Sequence, residues 1–275
     1  MKITDYPAAS SLNPADVLVT DGANGTRTIQ ASNSIFQLMD AAGVPQMHRN
    51  LFRGKNLGTA VTAAQLVSIR DGSFKDLWIG DYWVIGGVTY RIVDINYWLN
   101  KTDTMVVDPH VVIMPDETMY DAAMHSTGST TGGYAGSAMH TTNLATAISR
   151  INTAFGSAVK THREYLINAV TSGKPSGTSH VTVTAMVPTE RMLIGASMFG
   201  VANDGATAPA VYTSSPVQFA LFGLAPQYLV TPSRSTYAMQ DIVNGSQYST
   251  MFDNGAILPM SAANTRGVRP VFMIG

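Results

Sequence analysis

The sequence predicts an α+β fold, in which a small N-terminal β-hairpin is followed by a mixed sheet with two or three helices. Runs of alternating β-branched and aromatic residues flank glycine turns, which is typical of strands. Elsewhere, apolar residues recur at helical spacing between capping residues and glycines. Hydrophobic residues make up 45% of the 275 residues, which is enough for a substantial core.

Composition excludes several kinds of site. The net charge is -1 and no long basic run occurs, so we expect no nucleic-acid partner. There is no cysteine, which excludes disulfides, thiolate nucleophiles and cysteine-based zinc sites. Charged residues make up only 13%, about half of the roughly 25% that is usual, which indicates a neutral polar surface or one covered by copies of the chain.

The first residues lack the apolar core of a signal peptide, and no later stretch reaches the length of a membrane span. We therefore expect no membrane insertion. The chain is expected to stay in the cytoplasm or to leave by lysis.

Residues 1–45 read as an attachment segment. A strand at 16–20 and a return strand at 26–29 enclose the turn dipeptides Asp21-Gly22 and Asn24-Gly25. A helix at 35–42, capped by Asn33 or Ser34, follows. A hairpin alone is marginal in water, so residues 1–33 are expected to dock on another protein or a neighbouring copy.

Residues 46–275 are predicted to form the main domain. Thr62 opens a helix that ends at Asp71-Gly72. Strands at 82–85 and 88–93 flank Gly86-Gly87, a two-residue hairpin turn. A strand at 105–114 is apolar enough to be buried on both faces. The aromatic hairpin is interpreted as the floor of a sheet.

The second half of the domain is predicted from similar patterns. Residues 118–145 form a long loop, and loops of this length are functional or held by partners. Helices are predicted at 144–155 and 161–170, and strands at 181–184, 193–195, 211–213 and 219–222. The final strand, 268–274, is expected to join the core that contains the aromatic hairpin.

Catalytic and metal-binding residues were sought among the histidines. His110 with Asp116 or Glu117, and His162 with Glu164, are the candidate acid–base pairs of a cell-wall hydrolase. No spacing brings either pair to one substrate, and neighbours on a helix point in different directions. The spacing of His125, His140 and His162 matches no metal motif. We therefore predict no enzyme, no metal and no cofactor.

Residues 228–266 are rich in Tyr, Asn, Ser and Thr, the composition of recognition surfaces, although a plain surface loop fits as well. A bound Ca²⁺ near Asp241 or Asp253 is left open. The candidate ligand-binding residues are Arg234, Tyr237, Gln247, Tyr248, Asp253, Asn254 and Asn264.

Several blocks of the chain together resemble an uncharacterised domain of structural proteins from tailed phages and prophages of gut bacteria. The opening ITDYPAASSLNPADVLVTDGANGTRTI resembles the attachment segment at the start of such virion proteins. The blocks are RGKNLGTAVTAAQ, FKDLWIGDYWVIGGVTYRIVDINYW, HVVIMPDETMYDAAMHSTGSTTGGYAGSAMHTTNL, AFGSAVKTHREYLINAV and GVRPVFMIG.

The polar stretch ending in G-V-R-P-x-F also resembles the C-type-lectin-like fold of phage receptor-binding proteins, in which loops before the last strand display the binding residues. The chain departs from that pattern at 235–239, which reads STYAM where an aromatic pair is expected. The resemblance implies that residues 237–264 form the display region.

The resemblance further implies a homotrimeric virion protein, a fibre tip or a decoration protein. It would be made in the host cytoplasm, released by lysis, and would bind a glycan or protein of the host surface. A purely architectural capsid or baseplate component is the alternative.

Overall fold

Helices and strands both contribute to the structure, which confirms the predicted α+β class. The computed structural model describes residues 17–22, 25–101, 106–199 and 218–275, with side chains from residue 35 onward. The predicted strand at 211–213 and the first 16 residues lie outside these ranges.

The strands are β1 (Val17–Gly22), β2 (Gly25–Gln30), β3 (Tyr82–Ile85), β4 (Val88–Ile95), β5 (Val111–Pro115), β6 (Asp121–Ala123), β7 (Val159–Lys160), β8 (His162–Thr171), β9 (Lys174–Val183), β10 (Ala185–Met186), β11 (Tyr237–Asn244), β12 (Gln247–Met251), β13 (Ile257–Ser261), β14 (Thr265–Gly267) and β15 (Val271–Ile274). The α-helices of the described ranges are α1 (Ala31–Ala42), α2 (Ala63–Arg70), α3 (Leu144–Phe155), α4 (Glu190–Ile194) and α5 (Ala220–Leu224). None of them is long and apolar enough to cross a membrane.

The first sheet is antiparallel and has the order β10-β15-β5-β4-β3, with β7 also paired to β15. Gly86 and Gly87 have φ angles of 57° and 80°, as a type I′ turn between β3 and β4 requires. Every residue of β5 is buried between its two neighbours. The final strand lies in this sheet, so the predicted common core of β15 and the aromatic hairpin is confirmed.

The second sheet corrects the prediction of a single mixed sheet. Its order is β13-β12-β11-β14-β6, and only β11 and β14 run parallel. Residues 237–264, predicted as display loops, are mostly strands of this sheet. Strands β11, β12 and β13 form an antiparallel meander, and the exposed parts of this meander are its turns.

A two-stranded ribbon replaces the helix predicted at 161–170. β8 pairs with β9 along its whole length, and Ser172 and Gly173, with φ angles of 51° and 74°, form the turn. His162, Glu164 and Leu166 are buried on one face, which is the period of a strand. Gly173 therefore belongs to a hairpin turn, and Lys174 and Pro175 begin β9.

Two predicted strands are short helices. Residues 193–195 belong to the end of α4, whose cap Thr189 accepts a hydrogen bond from the Met192 amide at 3.0 Å. Residues 219–222 begin α5. Runs of four apolar residues cannot be assigned by periodicity, because a buried helical turn and a buried strand have the same pattern.

The longer helices follow the prediction. Thr62 and Gln65 form a capping box at α2, in which each side chain accepts from the other residue's amide at 2.9 to 3.1 Å. The helix α3 begins and ends as predicted. The helix α1 begins earlier, at Ala31, so Asn33 and Ser34 lie inside its first turn.

The helix α1, which belongs to the predicted attachment segment, contacts the domain that follows. The ring of Phe36 packs edge-on against Trp78 with the centroids 4.9 Å apart. Asp40 accepts a hydrogen bond from the Asp76 amide at 3.2 Å. These contacts hold α1 against the loop that precedes β3.

Two buried aspartates anchor neighbouring segments to the first sheet. Arg49 donates two hydrogen bonds to the carboxylate of Asp94, at 2.6 and 2.8 Å. The amide of Ala220, the first residue of α5, donates a third. The guanidinium of Arg53 forms a hydrogen-bonded ion pair with the carboxylate of Asp81. A buried ion pair that loses one partner costs about 3–5 kcal/mol, so both aspartates fix their segments firmly.

A buried carboxyl pair attaches α4 to the second sheet. The Glu190 amide donates to Asp241 at 2.6 Å, and the Glu190 carboxylate accepts from the Ser249 hydroxyl and, at 2.6 Å, from the Met198 amide. Burial, and then the charge of Glu190, raise the pKa of Asp241 to about 7. Asp241 therefore keeps its proton in the folded protein at mildly acid pH.

Gly267→Ala is expected to destabilise the protein by about 1–3 kcal/mol, because a Cβ there would lie 2.8 Å from the Thr236 carbonyl and against Thr118. Gly223→Ala, in α5, where a Cβ would make only an ordinary contact with the Gln218 side chain at 3.6 Å, is the matched control and should be neutral or slightly stabilising. Urea unfolding of both variants measures the difference. Equal stabilities would show that the backbone at Gly267 yields to a methyl group.

Asp241→Asn is expected to remove the loss of stability that the wild type undergoes as the pH rises. A carboxyl whose pKa is raised on folding stabilises fully below its unfolded pKa of 3.8, and this contribution is lost as the pH rises towards about 7. Between pH 5 and 7 the wild type should lose up to about 1.4 kcal/mol per pH unit relative to the variant. Urea unfolding of both proteins at pH 5, 6, 7 and 8 tests this, and parallel curves would contradict it.

Candidate functional site

A recess of about 310 Å³ opens where the chain passes from α5 to β11. The turn at 231–235 forms one wall, and the end of β5 lies on the other side. Its lining includes three charged side chains, Asp116, Arg234 and Arg269, together with Tyr228 and Thr231. The recess is the place where predicted binding residues and a concave surface coincide.

Arg234 is exposed at the mouth of this recess. Its φ of 59° is a left-handed conformation, and its amide donates to the Thr231 carbonyl at 2.9 Å. The Thr231 hydroxyl in turn accepts from the Ser235 amide at 2.8 Å. The Arg234 guanidinium donates from Nη1 to the Asp253 carbonyl at 3.0 Å, so two turns are tied together.

Glu117 fixes the same turn from the side of the first sheet. Its carboxylate accepts from the Ser233 amide at 2.7 Å and from the Ser233 hydroxyl at 2.5 Å. The exposed turn is therefore held in one conformation by hydrogen bonds at both of its ends. A ligand that binds here meets a preformed surface.

Arg269 is a buried arginine beneath the recess, with 1% of its surface exposed. Nε donates to the Pro115 carbonyl at 2.8 Å, and Nη2 to the Tyr228 carbonyl at 3.1 Å. Nη1 donates to the Leu229 carbonyl at 3.2 Å and to the Tyr237 hydroxyl at 3.3 Å. No carboxylate forms an ion pair with Arg269 among the described residues.

Asp116 shares the recess but is already paired. Arg91 donates from Nε and Nη2 to its two carboxylate oxygens, at 2.7 and 2.5 Å. The guanidinium of Arg91 lies between the rings of Tyr82 and Tyr228, 4.7 and 4.3 Å from their centroids. Sequence reasoning missed Arg91, Asp116 and Tyr228 as neighbours of the site, because no local pattern connects them.

The structure divides the predicted binding residues into three groups. Arg234, Asp253 and Asn254 are exposed beside the recess. Asn264, exposed, and Gln247, half-buried, lie at the opposite end of the meander, since β12 separates its two turns by about 14 Å.

Tyr237 and Tyr248 form the third group and lie in the core, 0% and 1% exposed. Their hydroxyls donate to the carbonyls of Leu229 and Gly133, at 2.7 and 3.1 Å. Burial raises the pKa of both phenols, so both stay neutral. Both tyrosines therefore belong to the core.

His110 is a structural histidine. The Trp98 amide donates to Nε2 at 3.1 Å, so Nε2 carries no proton and Nδ1 donates to the Asp108 carbonyl at 3.1 Å. Burial lowers the pKa of His110 to about 4. Asp116 and Glu117, its candidate partners, are bonded to Arg91 and Ser233 instead.

His162 and Glu164 do come together, because they share one face of a strand. Nε2 of His162 lies 3.5 Å from Oε2 of Glu164 without forming a hydrogen bond to it, and this oxygen accepts a hydrogen bond from the Trp98 indole at 2.7 Å. The His162 ring packs on Trp98 with the centroids 4.0 Å apart. A second recess, of about 320 Å³, adjoins this cluster. On the helix that the sequence predicts here, the two side chains would point in different directions.

The remaining histidines do not converge. His125 follows β6, and His140 lies in a π-helical turn at 139–143 and packs against the Tyr134 ring. Within the described ranges, no three His, Asp or Glu residues are placed to hold a metal ion.

Comparison of the chain with family models, with curated proteins and with solved structures gave no match.

Proposed function

We propose that this chain is a structural protein of a tailed-phage virion that binds the host cell surface through the exposed turns beside the Arg234 recess. It acts as a homotrimer, a fibre tip or a decoration protein, and residues 1–33 attach it to other virion proteins. It is made in the host cytoplasm and released by lysis. The ligand is a glycan or protein of the host surface, and the proposal assigns no catalysis to the chain.

The observation that carries the proposal is the coincidence of Arg234, Asp253 and Asn254 on rigid, exposed turns next to a concave surface. Binding residues on loops held by a rigid scaffold are the usual arrangement of recognition surfaces. The sheet beneath them supplies that scaffold, and the final strand closes the core. The resemblance to lectin-like phage proteins also implies a rigid sheet that carries the binding residues on its loops.

The N-terminal hairpin supports the attachment role. Among the described strands, β1 and β2 pair only with each other, six residues on each side. A two-stranded hairpin is marginal in isolation, so a partner that covers it would stabilise it. In the proposal that partner is another virion protein.

Burial of Tyr237 and Tyr248 favours the alternative, a purely architectural component, because two of the predicted contact residues serve the core. The two functions differ in what substitution at the exposed turns does. An architectural protein would lose assembly, whereas a binding protein would lose adsorption with its particles intact.

Arg234→Ala and Asn254→Ala are expected to weaken binding of the purified protein to cells of the infected bacterium by about tenfold or more, as loss of an interface hot spot does. Asn264→Ala, an exposed change at the other end of the meander, is the matched control and should bind normally. Cell pull-down and a glycan array measure the binding, and electron microscopy of particles measures assembly.

Several results would count against the proposal. Normal adsorption by both recess variants would exclude the recess, and a loss confined to Asn264→Ala would move the binding site to the opposite turns. Defective particles in the recess variants would favour the architectural role. A purified protein that is monomeric would contradict the trimer.

A further inference from the structure

We infer that the Arg234 recess is selective for an anionic group, a carboxylate or a phosphate, on its ligand. As a statement about host recognition this inference rests on the proposed function. As a statement about ligand chemistry it can be tested with small molecules alone. The argument depends on the two arginines of the recess and on the pairing of the acids around them.

The first arginine, Arg269, provides a buried positive charge that no anion neutralises. Its four hydrogen bonds go to three carbonyls and one hydroxyl, which are dipoles and carry no net charge. A charge held away from water acts over a longer distance than an exposed one, because the surrounding dielectric is lower. Arg269 therefore contributes a positive potential inside the recess.

The second arginine, Arg234, provides donors at the mouth. A guanidinium has five N–H groups in a planar fork, and one hydrogen bond from the Arg234 side chain is made within the described residues. That hydrogen bond orients the side chain and leaves donors for a ligand. The fork of an arginine matches the two oxygens of a carboxylate or phosphate.

Of the three acids nearby, only Asp116 lines the recess. Both oxygens of Asp116 are held by Arg91, and both oxygens of Glu117 are held by Ser233. The carboxylate of Asp253 is exposed and repels an anion, although only the backbone carbonyl of Asp253 contacts Arg234. Of the charged side chains that line the recess, Asp116 is paired with Arg91, which leaves the charges of Arg234 and Arg269. Glu117 and Asp253 lie outside this lining and keep their negative charges.

The size of the recess limits the ligand. A volume of about 310 Å³ is at the lower end of the range for small-molecule sites. It fits one acidic sugar residue or one phosphate group, with the rest of a polymer outside. The inference therefore concerns the charged group at the point of contact.

The test uses the purified full chain and three probes: methyl glucuronide, methyl glucoside and inorganic phosphate. The two glycosides differ in the carboxylate, so their affinities isolate its contribution. Calorimetry or NMR titration should show that the glucuronide, the phosphate or both bind at least about tenfold more tightly than the glucoside, as a charge-assisted pair requires. The tighter of the two anions identifies the source of the charge.

Three variants connect this selectivity to the recess. Arg234→Gln should weaken anion binding by about tenfold or more, while Arg70→Gln removes the same charge from the exposed end of α2 and should leave it unchanged. Asp253→Asn should strengthen anion binding a few-fold, an effect that a merely structural role of the turn would not produce. Circular dichroism verifies that each variant is folded.

Equal affinity for glucoside and glucuronide, no measurable binding of either anion, or unchanged binding in Arg234→Gln would overturn the inference. Its failure is distinguishable from failure of the proposed function. Host-cell binding that persists without any anion preference refutes only the ligand chemistry. Anion binding in a protein that ignores host cells refutes only the virion role.

Discussion

The buried guanidinium of Arg269 is the interaction on which the arrangement of the two sheets depends. It joins the end of β5 at Pro115 to the carbonyls that follow α5 and to the hydroxyl of Tyr237 at the start of β11. A buried carbonyl without a donor costs about 1–3 kcal/mol, so one side chain satisfies groups that would otherwise oppose this packing. An apolar residue of the same volume could fill the space but could not bond the three carbonyls.

The same constraint explains where exposed chemistry can occur. Because Arg269 fixes Tyr228 and Leu229 from below, the chain must turn at 231–235 before it enters β11, and that turn carries Arg234 outward. Glu117, directly after β5, then closes the turn from the other side. The recess therefore results from how the two sheets meet. Arg269 sets the position of the turn that exposes Arg234.

Local signals in the sequence predicted most of the first sheet and the longer helices, because Gly86-Gly87 and the Thr62–Gln65 box specify structure without help from distant residues. Ser172-Gly173 is the same kind of hairpin turn, yet Leu166 and Val170 also fit a helical period, and only pairing with β9 decides between the two. For the site, composition selected Arg234, Asp253 and Asn254, which are exposed. It could not separate them from Tyr237 and Tyr248, because which side of a strand is buried depends on the partner strand.

The segment 118–145, predicted as one long loop, includes β6 and the start of α3. Its length predicted a functional loop, but its middle is held firmly: Thr130 bonds the carbonyls of Asn244 and Gly245, and the Ala135 amide bonds Ile167. A Cβ at Gly133 would lie 2.6 Å from the Ile167 carbonyl carbon, so the loop approaches the ribbon as closely as glycine allows. This segment joins the ribbon to the second sheet. With the long loop used as scaffold, the short turns around Arg234 and Asp253 are the part of this region that combines exposure, rigidity and a concave neighbour.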